Sequence, residues 1–291
     1  MEMQPLSIAS QHSKSFKRLI RLLIWKFKPQ QLFCFAQSTS FKDRSGVFMD
    51  NEANSECRYC LLMITESQLP TEYQVQRFIN SRFKTGEVTV LCHQQKEVSD
   101  AITANNRFFK TIYGNSILLH SDNNLIQSEY QTRPSLSNIL RKAEKKYQHY
   151  IPLIDGFLAG ATHCIKNQQY SMCTMMLYHI VQQCTELLIG VHLSCPLQIR
   201  SLYTLINLCY SFSGEPHRVW LTNEEDKRLF DLLINIHSEA GFGITYPISE
   251  DDLTKLFIKA TAYIHLTKQM CRNKIEQLDK EVLLVIPIHQ Q

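Results

Sequence analysis

Gln182, Gln183 and Glu186 are polar residues inside an otherwise apolar run, Met172–Val191 (MCTMMLYHIVQQCTELLIGV). Around them Leu177, Ile180, Val181, Cys184, Leu187, Leu188 and Val191 recur at three- and four-residue steps, the spacing of a core stripe on a helix. Carboxamides and a carboxylate beside such a stripe are either surface residues or the polar border of a groove; the pattern reads as a central bundle helix bordering a groove. Cys57-x-x-Cys60 is the only close cysteine pair. Zinc needs further ligands at suitable spacing, and Cys34 on a neighbouring strand adds only a third thiol. A redox pair opens a helix, where the dipole lowers a thiol pKa, and this pair sits mid-strand. Buried free thiols and no metal are therefore expected. His179, His192 and His237 fall on helices as structural residues. His163 and Cys164 are adjacent on a helix and point in different directions. No glycine-rich phosphate loop is present; Gly241-Phe242-Gly243 lacks the strand that should precede it.

The elements that must position these groups follow from periodicity. Residues 13–28 read as a basic amphipathic helix ended at Pro29, a pattern that serves a domain's first helix, a membrane surface or an RNA phosphate contact. Gln31–Ala36, Arg58–Thr65, Glu87–His93 and Ser116–His120 read as short buried strands, with a polar loop over 37–56. Helices are expected over Pro70–Phe83 and Val98–Tyr113. Strands alternating with helices give a small α/β layer. After a polar boundary at 121–134 the pattern is helical: Ser135–Tyr147, Tyr150–Lys166, the central helix, Gln198–Phe212, a helix capped by Thr222 with Glu225 three residues on, and a last helix capped by Ser249. Short links between amphipathic helices make an up-down bundle. The expected division is 13–120, a linker at 121–134, a helical domain at 135–275 and a tail at 276–291.

The chain has 291 residues, 44% of them hydrophobic, with 9 Gly and 9 Pro. It can bury a sizeable core and is not a low-complexity chain. A net charge of +4 permits acidic partners without demanding them. Ten cysteines without a secretory signal suggest a reducing, cytoplasmic setting. No stretch is long and apolar enough for a membrane span; Phe16–Lys28 carries five basic residues.

The two halves together resemble a minimal nucleotidyltransferase of the DNA polymerase beta type fused to a HEPN domain. The resemblance rests on VTVLCH and RFFKTIYGNSILLHSD in the first half, and on LYHIVQQCTELL, EEDKRLFDLL and YPISEDDL in the second. It implies an α+β chain, a small α/β domain followed by an all-α up-down bundle. In such nucleotidyltransferases a Gly-Ser turn holds the triphosphate and a following strand carries two aspartates that bind magnesium. Here the turn reads Ala36-Gln37, the aspartates fall on Arg58 and Cys60, and the third acidic position is Thr89, with Glu87 nearby. A guanidinium repels cations and a thiol is a poor magnesium ligand, so metal-dependent transfer is expected to be lost.

The resemblance also implies what the bundle has lost. Many HEPN domains are metal-independent ribonucleases with an arginine four to six residues before a histidine, and no histidine here has one. A family Thr-His-Asn/Asp-Leu stretch appears as Ile199-Arg200-Ser201-Leu202, and an Ala-Arg-Tyr stretch as Ala240-Gly241-Phe242. What remains is binding. Gln182 and Glu186 face the groove, and Arg200 either engages phosphate or pairs with Glu186. His237 is the fourth candidate, and Lys142, Lys145, Lys146, Arg133 and Arg141, with Tyr147 and Tyr150, offer a basic face for RNA. The expected function is non-catalytic binding of nucleotide, RNA or a protein partner, with a regulatory role of the toxin–antitoxin or defence kind and no cofactor. The alternatives are a ribonuclease using residues around Glu186, Arg200 and His237, and a homodimer assembled through the bundle.

Overall fold

The computed structural model describes residues 13–42, 54–66, 71–122, 135–195, 201–240 and 248–285. The chain divides into two compact units, Met1–Arg133 and Pro134–Gln291. The first holds a mixed four-stranded sheet with helices, and the second is mostly helical.

The first unit opens with α1 (Ser13–Phe27). Phe16, Leu19, Ile20 and Leu23 are buried at the i, i+3, i+4, i+7 spacing of one helix face. The helix stops because Lys28 adopts a left-handed conformation at φ 45° before Pro29. β1 (Gln31–Lys42), β2 (Asn54–Thr65), β3 (Gly86–Gln94) and β4 (Ile117–Ser121) form the sheet in the order β3-β2-β1-β4. β1 pairs antiparallel with β2 and with β4, while β2 and β3 run parallel. The first two strands reach further than their apolar runs, down to Lys42 opposite Asn54, because an antiparallel ladder is made by the backbone and tolerates polar side chains. A bulge at Phe35 shifts the register from Cys34 opposite Leu61 to Ala36 opposite Cys60.

Strand alternation divides β2 between the two faces. Cys57, Tyr59, Leu61 and Met63 join α1 and α2 (Glu72–Arg82) in one core, with Phe16 stacked on Tyr59 at 4.0 Å. On the other face lie α3 (Gln95–Thr103) and α4 (Arg107–Asn115), whose Phe108 and Phe109 meet Phe35 and His93 edge to face. The expected single helix over 98–113 is thus two. Asn105 turns left-handed at φ 58°, and the Asn106 side chain accepts from the Phe108 N–H at 2.9 Å to start α4.

In the second unit α5 (Leu136–Lys166) is one helix where two were expected, and it carries Pro152 inside. Proline removes one backbone donor but has a helical φ, so packing along the helix carries it through. α5 leads to α6 (Tyr170–His192), α7 (Leu202–Leu208) with a 3₁₀ turn at Cys209–Ser211, α8 (Glu215–Trp220), α9 (Glu224–Ala240) and α10 (Glu250–Val285). α8 carries Pro216 in its first turn, where a proline's missing N–H costs nothing. α9 is capped by Asn223, whose Oδ1 accepts from the Asp226 N–H at 2.8 Å, rather than by Thr222, whose hydroxyl donates to the Arg218 carbonyl at 2.6 Å. Ser249 caps α10 as expected, accepting from the Asp252 N–H at 3.1 Å. α10 continues through Val285, into the segment read from the sequence as a tail.

α6 is the central helix. Thirteen of its 23 residues are buried, and α5, α7, α9 and α10 all pack on it. Thr185 and Tyr263, both fully buried, satisfy each other across α6 and α10 at 2.9 Å. All ten cysteines are free thiols, nine of them buried and Cys92 half-buried. Among the described residues no helix is long and apolar enough to cross a membrane.

Gly86 opens β3 hard against β2: a Cβ built there would sit 2.1 Å from the Cys57 carbonyl oxygen. Neither backbone can yield without breaking the parallel ladder. Gly86→Ala is therefore expected to destabilise the first unit by about 1–3 kcal/mol. Urea denaturation followed by circular dichroism checks this; an unchanged midpoint would contradict the close approach.

Candidate functional site

The positions that resemblance assigns to nucleotide transfer converge in space. The register places Ala36 opposite Cys60 and Gln37 opposite Tyr59. On the parallel side Cys60 lies beside Thr89 and Arg58 beside Glu87. Arg58 and Cys60 alternate onto the face that carries α3 and α4. The Arg58 Nε donates to the Glu87 carboxylate at 3.1 Å, with the Arg58 side chain 15% exposed and Glu87 47% exposed. Cys60 is buried, and burial raises its thiol pKa, with Cys34 adding to the effect. A permanent cation and a protonated thiol thus occupy the two positions that the resemblance assigns to aspartates. Glu87 is paired with that guanidinium.

Cys57 and Cys60 take opposite faces of β2. Cys57 belongs to the core under α1 and α2 together with Cys34, whose thiol burial pushes up to about 12. Among the described residues no three His, Cys, Asp or Glu side chains are grouped to hold a metal ion.

The second unit brings a different set together. α5 and α6 run antiparallel, and their facing residues step along the seam in register. Lys146 lies over Gly190, so that a Cβ at Gly190 would come within 2.8 Å of the lysine Nζ. One turn further the Tyr150 hydroxyl donates to Glu186 Oε2 at 3.3 Å, while Gln182 Nε2 donates to Glu186 Oε1 at 2.9 Å. Beyond these, Phe157 stacks on His179 at 5.1 Å. Lys146, Tyr150, Gln182 and Glu186 are each half-buried. Burial pulls the Lys146 ammonium below the ordinary lysine value, against the opposing pull of Cys195 and Glu186. Burial, then the charge of Glu186, pushes the Tyr150 hydroxyl up to about 12. The result is a carboxylate with a donor on each oxygen and an ammonium within electrostatic range.

His237 belongs to an aromatic cluster. It stacks on Tyr178 at 3.6 Å with the rings 10° apart, and His179 meets both edge-on. Burial, then His179, lowers the His237 pKa. Among the described residues no arginine bonds to it, and its ring faces are committed to packing. Arg200, the remaining candidate, lies outside the described residues.

The sequence offered Lys146 and Tyr150 as part of a basic face for RNA rather than as neighbours of Glu186, and gave Tyr178 no role. Lysine over glycine leaves no periodic signal, because Gly190 is on the next helix; the one available hint was a glycine inside an apolar helical run. A shallow depression of about 450 Å³ lies elsewhere on α5, lined by Asp155, Thr162, His163 and Lys166. It gathers no converging chemistry, and Asp155 is held by Lys268 at 2.8 Å.

No protein-family model matches the chain, and no curated protein does. Solved structures do, among them the crystal structure of a nucleotidyltransferase-like protein from Exiguobacterium sibiricum. It is 10% identical, and the match covers 91% of this chain and 80% of that one at a TM-score of 0.31. No residue-by-residue correspondence is drawn from it.

Two outcomes follow. A double-mutant cycle between Arg58→Ala and Glu87→Ala is expected to return a coupling of about 0.5–1 kcal/mol that shrinks with added salt, as for a half-exposed ion pair. Zero coupling at low salt would contradict the pairing. His237 has a folded pKa below its unfolded value, so the fold binds the proton less well than the unfolded chain does. Its contribution is fully present above the unfolded value of 6.5 and is lost as pH falls through it. Melting temperature should drop between pH 7 and pH 5, and a His237→Phe variant, which keeps the stack, should show a shallower drop.

Proposed function

We propose that this protein is a non-catalytic binding protein built on a nucleotidyltransferase-like first unit and a HEPN-like bundle, and that the bundle seam holds a nucleotide or an RNA end. The observation that supports the loss of transfer chemistry is the Arg58–Glu87 pair at 3.1 Å. It ties up Glu87 and sets a fixed positive charge where the resemblance would place magnesium. The support for binding is the Lys146–Tyr150–Gln182–Glu186 row, which offers an ammonium for phosphate and a carboxylate with a phenol and an amide for base or ribose hydroxyl and amino groups. A cytoplasmic, regulatory role of the toxin–antitoxin or defence kind completes the reading.

The ribonuclease reading is weaker, because His237 is locked between Tyr178 and His179 rather than set beside Glu186. A homodimer formed through the bundle is the second reading. Leu283 and Leu284, 62% and 86% exposed near the end of α10, favour it, and light scattering at two concentrations tests it.

A thermal-shift screen decides the main proposal. ATP, GTP or a short RNA should raise the melting temperature, with a stabilisation of about 2.7 kcal/mol at a hundredfold excess over Kd. Added magnesium should make no difference, and Glu186→Ala should abolish the mononucleotide shift. A magnesium-dependent ATP shift removed by Glu87→Ala would instead mean that the first unit retains its metal chemistry.

A further inference from the structure

The outward face of α1 carries a second, independent feature. Lys14, Arg18, Arg21 and Trp25 follow at i, i+4, i+7 and i+11, within an arc of about 60° and over a length of about 16 Å. Lys17 flanks the row, and all five residues are exposed. Trp25 is 76% exposed, whereas Trp220, the chain's other tryptophan, is fully buried. α1 contains no acidic residue, and among the described residues none pairs with these four cations. On the flank of α1, away from this row, the Lys26 ammonium and, from α2, the Arg82 guanidinium both lie over the Phe78 ring, at 4.2 Å and 5.7 Å.

We propose that this face of α1 binds single-stranded nucleic acid, the row of lysines and arginines following successive phosphates and Trp25 stacking on an unpaired base. The chemistry selects this partner. A linear row of cations ending in a bare aromatic ring matches a polyanion whose every unit also carries a stackable face. An anionic membrane matches less well. An interfacial helix lays its apolar face in the bilayer, but the apolar face of α1 is consumed by the core: Phe16 and Leu23 are 0% exposed. One tryptophan is then all that is left to insert. A base-paired duplex also matches less well, since its bases are already stacked on each other and only its phosphates remain to be met.

This site deepens the binding reading above and rests on it only for the class of ligand; it lies in the other unit and uses none of the seam residues. The test uses the full chain, a fluorescent twelve-nucleotide oligo-U and oligo-dT, and the intrinsic emission of Trp25 in a Trp220→Phe background. Oligonucleotide should quench that emission. Affinity should fall with salt at a log–log slope of about −3, the value for four phosphate contacts on a single strand. Trp25→Ala should weaken binding about tenfold and leave the slope unchanged. An Arg18→Glu, Arg21→Glu double variant should weaken it about a hundredfold or more, and its melting temperature should match the parent's, since both side chains are exposed.

A mononucleotide melting shift that survives in that double variant while oligonucleotide binding is lost assigns the two ligands to the two sites. Survival of the mononucleotide shift in Glu186→Ala, or its absence in the parent chain, with oligonucleotide binding retained, sinks the seam and spares α1. The α1 proposal is overturned if oligonucleotides neither quench Trp25 nor bind with salt dependence. It is equally overturned if vesicles of three parts phosphatidylcholine to one part phosphatidylserine shift Trp25 emission to the blue where oligonucleotides do nothing, or if a hairpin duplex competes as well as the single strand does.

Discussion

Glu186 puts a carboxylate on the helix against which α5, α7, α9 and α10 all pack. A charge so placed must be answered by nearby donors, because an unpaired ion beside an apolar core costs several kcal/mol. Tyr150 and Gln182 answer it directly, and Lys146 answers it at longer range by lying flat over Gly190. That requirement sets the choice of residues along the α5–α6 seam. Tyrosine and lysine fall one turn apart on one helix, opposite glutamate and glycine one turn apart on the other. On the side facing α10, the buried Thr185 hydroxyl meets its need in Tyr263.

The first unit settles a comparable demand in the opposite sense. In this sheet a guanidinium, which never loses its charge, sits beside Glu87 and supplies its counter-charge. The parallel β2–β3 register makes that pairing unavoidable, since it brings position 58 alongside position 87. The two units thus divide the chemistry, one closed around its own ion pair and the other with its donors half-exposed.

Much of the fold could be read from the chain because its signals are local. Four apolar runs became four strands, and the spacing around Leu177–Val191 became the buried face of α6. The misreadings have separate causes. Asn105 splits α3 from α4 by taking a left-handed φ, which an asparagine permits but does not announce. The break expected between Tyr147 and Tyr150 is bridged by one continuous α5, and Pro216 sits in the first turn of α8. Tertiary packing overrides local propensity in the first case, and the proline's place in the helix decides the second. The candidate site was legible where its residues share one helix, as Gln182 and Glu186 do. It was illegible where it joins two, because nothing in the order of residues brings Lys146 to Gly190 or His237 to Tyr178.

The burial of nine thiols gives the molecule a built-in record of its own motions. Only an ionised sulfur attacks an alkylating reagent; burial hides these sulfurs and raises the thiol pKa of Cys34 and Cys184 among them. Modification therefore waits for the surrounding chain to part. Cys34 and Cys60 time that parting in the sheet, and Cys184, Cys209 and Cys271 time it in the bundle. The half-buried Cys92 marks the rate of the first local loosening. Without any added label, the chain can report which of its two units gives way first.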